Sequence, residues 1–175
     1  MVATASALAS RNPRQMVLRL SDMPTGFKVD TSGAMNAAAA VGEGGVTLAE
    51  LKSWGYRTGY ETDFASDVAL SDSVSGAIEI TSSASIYASR GGVAASLDAS
   101  IKACGRHKLS VGATIGDQAE LCAVTQMSGG YHFQAFAVLW RQGAVKGAVI
   151  VVGLKGGVSS RQAVSLAKVE SARIG

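Results

Sequence analysis

The chain has few of the residues on which metal, redox and nucleic-acid chemistry depend. Its 175 residues include two cysteines and two histidines, charged residues make up 17%, and the formal net charge is +3. Two histidines without a nearby acidic cluster argue against a transition-metal site. So small a net charge gives no reason to expect a nucleic-acid partner. We therefore predict neither a cofactor nor nucleic-acid binding.

Long apolar runs are also missing. The sequence contains no run of about 18 apolar residues, so it predicts no transmembrane helix. Sparse charge combined with 47% hydrophobic residues is typical of a folded domain and not of a disordered chain. Residues 1–80 carry a net charge of −3 and residues 81–175 a net charge of +6, which indicates two differently charged faces of one domain.

The two cysteines, Cys104 and Cys122, favour a single disulfide over two buried thiols. Cys104 ends a predicted helix and Cys122 lies in a predicted strand, which is a common pair of bridge positions. Their spacing fits neither a CxxC redox motif nor a zinc site. Such a bridge is expected to stabilise the fold by about 3 kcal/mol on a loop-entropy argument.

The chain start is rich in small residues but lacks the charged beginning and apolar stretch of a signal peptide. We interpret residues 1–11 as a flexible tether, left by a processed export signal or simply a chain end. Residues 12–175 are predicted to form one α+β domain, since a chain of this length is one domain by default.

The strongest structural signal is a pair of β-rich runs near the carboxyl end. One spans Tyr131–Trp140, the other Ala144–Val152, and Arg141–Gly143 forms a polar turn between them. Both runs become apolar on both faces towards their middle. The sequence therefore predicts a long hairpin covered on both sides, with helices on one side and a helix, loop or partner on the other.

The other predicted elements follow from caps and turn residues. Strands come in consecutive runs without alternating helices, which predicts an α+β fold with a mostly antiparallel sheet. Tyr56, Tyr60 and Phe64 are expected on one face of their strand, and residues 30–46 are expected to form an Ala-rich helix or a mobile flap. The expected helices lie at 12–23, 47–54, 93–104 and from Ser159 or Ser160 onwards, and the further strands at 27–29, 56–64, 77–87 and 120–124.

No set of residues matches a catalytic motif. His107 and His132 are the histidines, and no Gly-x-Ser-x-Gly elbow supports a Ser-His-Asp triad. Rings with a polar tip suit the wet edge of a binding groove, but a single ring of this kind is more often part of the core or its rim, so a groove requires several of them on one sheet face under the flap. The candidate ligand-binding residues are Trp54, Tyr56, Arg57, Tyr60, Tyr87, His132 and Trp140.

Several short motifs resemble those of exported bacterial lipoprotein-type domains. They are Leu20–Phe27 (LSDMPTGF), Gly59–Phe64 (GYETDF), Gly116–Ala119 (GDQA) and Leu139–Val145 (LWRQGAV). In this order they resemble the PsbP/Mog1-like class, whose fold is an antiparallel sheet flanked by helices, an α/β/α sandwich. The resemblance implies an accessory or ligand-binding role outside the cytoplasm and carries over no catalytic residue. The acylated cysteine of a lipoprotein has no counterpart before Cys104.

Three hypotheses about function remain after the sequence analysis. The leading one is an exported, non-enzymatic domain that binds a small apolar ligand or a protein partner through a sheet face or the flap. The second is a small cone-shaped α+β enzyme of the isomerase or hydrolase type, which requires a closed pocket with an ionisable group of displaced pKa. The third is a structural or assembly subunit. The sequence does not determine the oligomeric state.

Overall fold

A computed structural model describes residues 12–41, 45–67, 76–105 and 107–175. The predicted tether at residues 1–11 lies outside this part of the chain, and so do residues 68–75. So does the end of the predicted flap at residues 42–44.

Within the described residues, seven strands form one sheet in which every neighbouring pair is antiparallel. Along the sheet the order is β1-β2-β3-β7-β6-β5-β4, so the first three strands form one meander and the last four another. The strands are β1 Phe27–Met35, β2 Tyr56–Ser66, β3 Ala77–Tyr87, β4 Lys108–Leu109, β5 Gln118–Ser128, β6 Tyr131–Gln142 and β7 Val145–Leu154.

In the described part of the chain, three α-helices lie against the sheet: α1 Leu48–Ser53, α2 Arg90–Ala103 and α3 Ser160–Ile174. Each begins at a hydroxyl side chain that accepts a hydrogen bond from a backbone N–H of the first turn. Thr47 caps α1 within the predicted capping box, Ser89 caps α2, and Ser159 caps α3.

The two long helices cover opposite sides of the β6–β7 hairpin. On one side α3 packs Ala163, Leu166 and Ala167 over Val149 and other core residues. On the other side α2 packs Leu97 and Ile101 against the sheet. The prediction of an α+β fold with an antiparallel sheet flanked by helices is confirmed.

The centre of the hairpin is buried on both sides, as predicted. Val138 and Val149, which are paired across the hairpin, are fully buried under α3, and Leu139 and Ala148 are buried under α2. Towards the end of β7 the side chains that face the α2 side are less well covered, and Ile150 is only half-buried. The prediction therefore holds at the centre and is wrong at this end of the hairpin.

The predicted amino-terminal helix is wrong. Residues 12–23 contain two short 3-10 helices, Pro13–Gln15 and Leu20–Asp22, and residues 16–19 between them belong to neither. Met16, Val17 and Leu18 are all buried, and three consecutive residues cannot all face the core from one side of an α-helix. The Leu18 amide donates instead to Ser82 Oγ on β3, 2.9 Å away. We call residues 12–23 the strap.

Two further predictions needed correction in the first meander. β1 continues to Met35, through much of the segment expected to be a flap, because it pairs with β2 from Phe27 to Met35. A register shift between Tyr56 and Thr58 places Tyr56 away from Tyr60. Tyr60 packs against the core beneath α3, whereas Tyr56 packs against the cluster near α1.

The predicted disulfide is present between Cys104 and Cys122, with a Cα–Cα distance of 5.8 Å. Cys104 directly follows α2, and Cys122 is buried on β5. The bridge therefore ties the carboxyl end of α2 to the sheet.

Candidate functional site

Helix α2 covers only part of its side of the sheet. Its apolar residues pack on Cys122, Leu139 and Ala148, which are neighbours across β5, β6 and β7. The side chains that follow these residues on the same side of the three strands are half-buried or exposed. We call this surface the open face; it consists of Val124, Phe133, Ala135, Ile150, Val152 and Leu154.

The open face is one continuous apolar surface. The register places Val152 beside Ala135 and Ala135 beside Val124, while Leu154 lies beside Phe133. Val124 is 48% exposed, although it is an aliphatic residue in the sheet. Single exposed apolar residues are common on protein surfaces. A row of half-exposed apolar side chains across three strands is instead typical of a binding surface.

An acidic group borders the open face on the side of β2. Asp63 accepts hydrogen bonds from Thr31 Oγ1 at 2.5 Å and from Thr81 Oγ1 at 2.7 Å. Thr81 lies beside Ile150 in the sheet, so this group adjoins the apolar surface. A cavity of about 280 Å³ opens here, lined by Asp30, Thr31, Asp63, Phe64, Ala65, Ile78 and Glu79.

A polar network is closed off beneath α2. Lys146 is 6% exposed, and its Nζ donates to Ser100 Oγ at 3.1 Å and lies 3.5 Å from Ser96 Oγ. Ser96 Oγ also shares a hydrogen bond of 2.6 Å with the Tyr87 hydroxyl. A lysine beside a serine is the arrangement of some nucleophilic catalysts. Here both serines and Tyr87 are buried, so the network holds α2 to the sheet and presents no nucleophile to solvent.

A second buried ionisable group lies on the other side of the sheet. Glu170 of α3 is fully buried and accepts a hydrogen bond from Ser82 Oγ. Burial raises the pKa of Glu170 well above its ordinary value, while the Ser82 hydrogen bond and Arg173 act in the opposite direction. Within the described part of the chain, Glu170 Oε1 has no hydrogen-bond partner.

Glu170 lies in the packed core, apart from the cavities of about 280 to 550 Å³ at the surface of the described residues. Among the described residues, Glu170 lines none of the cavities of about 470, 550, 520 and 280 Å³. Its surroundings are the packed core between α3 and the sheet.

The strap is fastened to α3 by an ion pair. Arg173 donates to both carboxylate oxygens of Asp22, at 2.7 and 2.8 Å, and to the Val17 carbonyl at 3.0 Å. Burial raises the pKa of Asp22, but the Arg173 and Arg19 interactions outweigh it and the pKa is lowered overall. Shallow cavities of about 470 and 550 Å³ flank the strap.

Three of the predicted ligand-binding residues lie together. The ring of Tyr56 meets that of Tyr87 edge-on at 5.5 Å, and the Tyr56 hydroxyl donates to the Met35 carbonyl. Trp54 and Tyr56 pack on a small cluster that includes Ala40 from the predicted flap. These rings fill the space between α1, the sheet and the segment after β1.

The remaining four candidates lie elsewhere. Tyr60 lies on the α3 side of the sheet, where the Arg14 guanidinium is 5.9 Å from its ring centre. Trp140 is fully buried on the same side. Arg57 and His132 are exposed, His132 near the turn between β5 and β6. The structure therefore does not bring the seven residues together into one groove.

Sequence reasoning did not identify the open face or the two buried ionisable groups. Lys146 is the one cation within the apolar run of β7, which was a usable signal. Glu170 follows the buried residues Ala163, Leu166 and Ala167 at helical spacing and belongs to the same stripe.

The described residues contain no group of three or more His, Cys, Asp or Glu side chains placed to hold a metal ion. Over the same ranges, no helix is long and apolar enough to cross a membrane.

Comparison with known proteins shows similarity at the level of fold. No family model matches the chain, and no curated protein matches it. Among solved structures, it is similar to the crystal structure of the extracellular domain of PknH from Mycobacterium tuberculosis. The match has a TM-score of 0.54 at 7% sequence identity and covers 99% of this chain and 98% of that one. The two chains thus share an architecture along nearly their whole lengths.

Proposed function

We propose that this chain is an exported, non-enzymatic α+β domain that binds a small apolar ligand or a protein partner through the open face. The observation that carries the proposal is the partial coverage by α2, which leaves Phe133, Ile150 and Val152 half-buried beside a fully packed centre. Burying such a surface would contribute about 25 cal/mol for each Å² of apolar area.

A location outside the cytoplasm is supported by two observations. The Cys104–Cys122 disulfide is of a kind that persists in oxidising compartments. A solved structure of similar fold is the extracellular domain of PknH from Mycobacterium tuberculosis. The resemblance of the motifs to the PsbP/Mog1-like class stays a prediction, and it agrees with the same proposal.

The polar border suggests how a ligand would be oriented. Asp63, held by two threonine hydroxyls, favours a ligand or partner that presents a hydrogen-bond donor or a cation beside its apolar part. An apolar ligand with an anionic group beside this carboxylate would be disfavoured by repulsion between like charges.

Titration with the neutral apolar dye Nile red tests the binding surface, and thermal shift with neutral and cationic apolar compounds tests the ligand class. We expect dye fluorescence to rise with the wild-type chain and to fall with Phe133→Ala or Val152→Thr. Val169→Thr is the matched control, because Val169 is 40% exposed on the outside of α3. Equal dye binding by all four proteins would contradict the proposal.

A further inference from the structure

The two edges of the sheet are protected very differently. β1 forms one edge along its whole length. At the other edge β4 pairs only with Leu121 and Cys122 of β5. The last part of β5, Val124–Ser128, therefore lies at the sheet edge and is exposed at every residue.

The hairpin register identifies the backbone groups that point outwards. Ser128 pairs with Tyr131 across the two-residue turn, so Ser128, Gln126 and Val124 direct their N–H and C=O groups towards β6. Thr125 and Met127 must then direct theirs away from the sheet.

The neighbouring residue supports this assignment. Ala123 lies two residues before Thr125, so its backbone groups point to the same side of the strand. Its N–H donates outwards to the His107 carbonyl, 2.8 Å away. No corresponding bond joins the outward groups of Thr125 or Met127 to another described residue.

Natural sheet edges usually carry charges, proline or a bulge that prevents pairing with another strand. β1 has Lys28, Asp30 and a register shift between Val29 and Thr31. β5 has none of these from Ala123 to Ser128, and its register with β6 is uninterrupted. Met127 is also 66% exposed. The edge of β5 is therefore suited to receive a further strand.

We propose that the Val124–Ser128 edge pairs antiparallel with the same edge of a second copy of this chain, about a two-fold axis at Gln126. In this register Thr125 of each copy lies opposite Met127 of the other, and their outward N–H and C=O groups satisfy one another. The two-fold axis places residues 124–128 of one copy along the same five residues of the other, so a charged edge would repel itself. This edge is uncharged, which favours a second copy over a partner selected by charge.

The ends of the paired segment fit the same arrangement. Each edge is closed at one end by β4 and ends at the Gly129–Gly130 turn at the other. The two-fold axis brings the turn of one copy beside β4 of the other. Neither glycine has other atoms within 4 Å of the position where a Cβ would stand, so the turn leaves room for this approach. The pairing uses the sheet edge and is independent of binding at the open face.

Disulfide trapping tests the register directly. At the axis Gln126 faces Gln126 of the second copy in a non-hydrogen-bonded pair, with a Cα–Cα distance of about 4.5 Å. That distance is within disulfide range, so Gln126→Cys is expected to form covalent dimers under mild oxidation. Val124→Cys is the matched control, because the two copies of residue 124 would be about 13 Å apart along the strand.

A proline substitution tests the role of the backbone. Met127→Pro removes an outward N–H without removing a bond to β6, and we expect it to weaken self-association about tenfold or more, as measured by sedimentation equilibrium. Met127→Leu keeps the amide and is expected to associate like the wild type.

Three results would overturn the proposal. One is a wild-type chain that remains monomeric at millimolar concentration. The second is equal trapping of Gln126→Cys and Val124→Cys. The third is a Met127→Pro variant that is folded by circular dichroism and associates like the wild type. If the monomeric chain instead captures an extended peptide of unrelated sequence at this edge, the partner is a different chain and the proposed second copy is wrong.

Discussion

Reduction of the Cys104–Cys122 disulfide is expected to destabilise the fold and to loosen α2 before other elements. The bridge joins the residue that follows α2 to a buried position on β5. It lies beside Leu97 and Ile101, the residues through which α2 packs on the sheet. Without the bridge, α2 is held by this apolar contact and by the polar network around Lys146.

The size of the effect follows from the loop that the bridge closes. The two cysteines are separated by 18 positions in the sequence. The loss of the cross-link increases the entropy of the unfolded chain and lowers the free energy of unfolding by about 3 kcal/mol. For a chain of this size, that corresponds to a fall in Tm of about 6–12 °C.

Urea unfolding of the oxidised and the reduced wild-type chain measures the difference. The double variant Cys104→Ala with Cys122→Ala is the control, and reductant is expected to leave its unfolding midpoint unchanged. Hydrogen exchange should show faster exchange at the carboxyl end of α2 in the reduced chain than in α3. If reduction lowers the free energy of unfolding by less than about 1 kcal/mol, or if hydrogen exchange is equal in α2 and α3, the argument that the bridge holds α2 is refuted.

Two further predictions concern the side of the sheet under α3. Burial raises the pKa of Glu170, so the folded chain keeps a proton that the unfolded chain releases near 4.5, and this residue makes stability fall as pH rises above that value. Glu170→Gln should remove that fall. The measurement is the difference between the urea midpoints of wild type and variant across a pH series. If the two midpoints change with pH in parallel, the prediction is contradicted. Gly147→Ala would place a Cβ 2.3 Å from Cζ2 of Trp140 and is expected to lower the free energy of unfolding by about 1–3 kcal/mol. Gly33→Ala is its control in thermal unfolding, because a Cβ there has no other atoms within 4 Å; equal melting of the two variants would count against the packing argument.

Elements with a strong local signal could be predicted from the sequence. The apolar spacing of Val93, Leu97 and Ile101 defined α2, and the paired β-rich runs defined the long hairpin. The capping box at Thr47 and Glu50 located α1. In each case the side-chain pattern and the backbone hydrogen bonds favour the same structure, and the tertiary contacts agree with that local preference.

The strap and the continuation of β1 beyond Val29 could not be predicted because their structure depends on distant residues. Asn12 and Pro13 locally favour a helix start, but burial of three consecutive residues over the sheet prevents a continuous α-helix. These residues are Met16, Val17 and Leu18. The polar residues of β1 show little apolar alternation, and the strand forms because it pairs with β2 from Phe27 to Met35, apart from the register shift between Val29 and Thr31.

The open face was missed for a geometric reason. Apolar residues on both faces of β6 and β7 predicted that both sides of the hairpin are covered. The pattern in these strands carries no information on how far along them a covering helix extends. α2 ends at Ala103, where the disulfide fixes it to β5, and Val152 and Phe133 lie beyond its reach. The predicted binding residues were chosen as aromatic rings, whereas the open face is mostly aliphatic.

Solvent paramagnetic relaxation of the methyl groups in β7 tests the unequal cover of the sheet most directly. A soluble gadolinium chelate is expected to relax the methyl protons of Ile150 and Val152 strongly. It should leave those of Val149 and Val151, which are buried under α3, nearly unaffected. If Ile150 and Val152 are as well protected as Val149 in the monomeric chain, that side of the sheet is closed and the proposed binding surface does not exist.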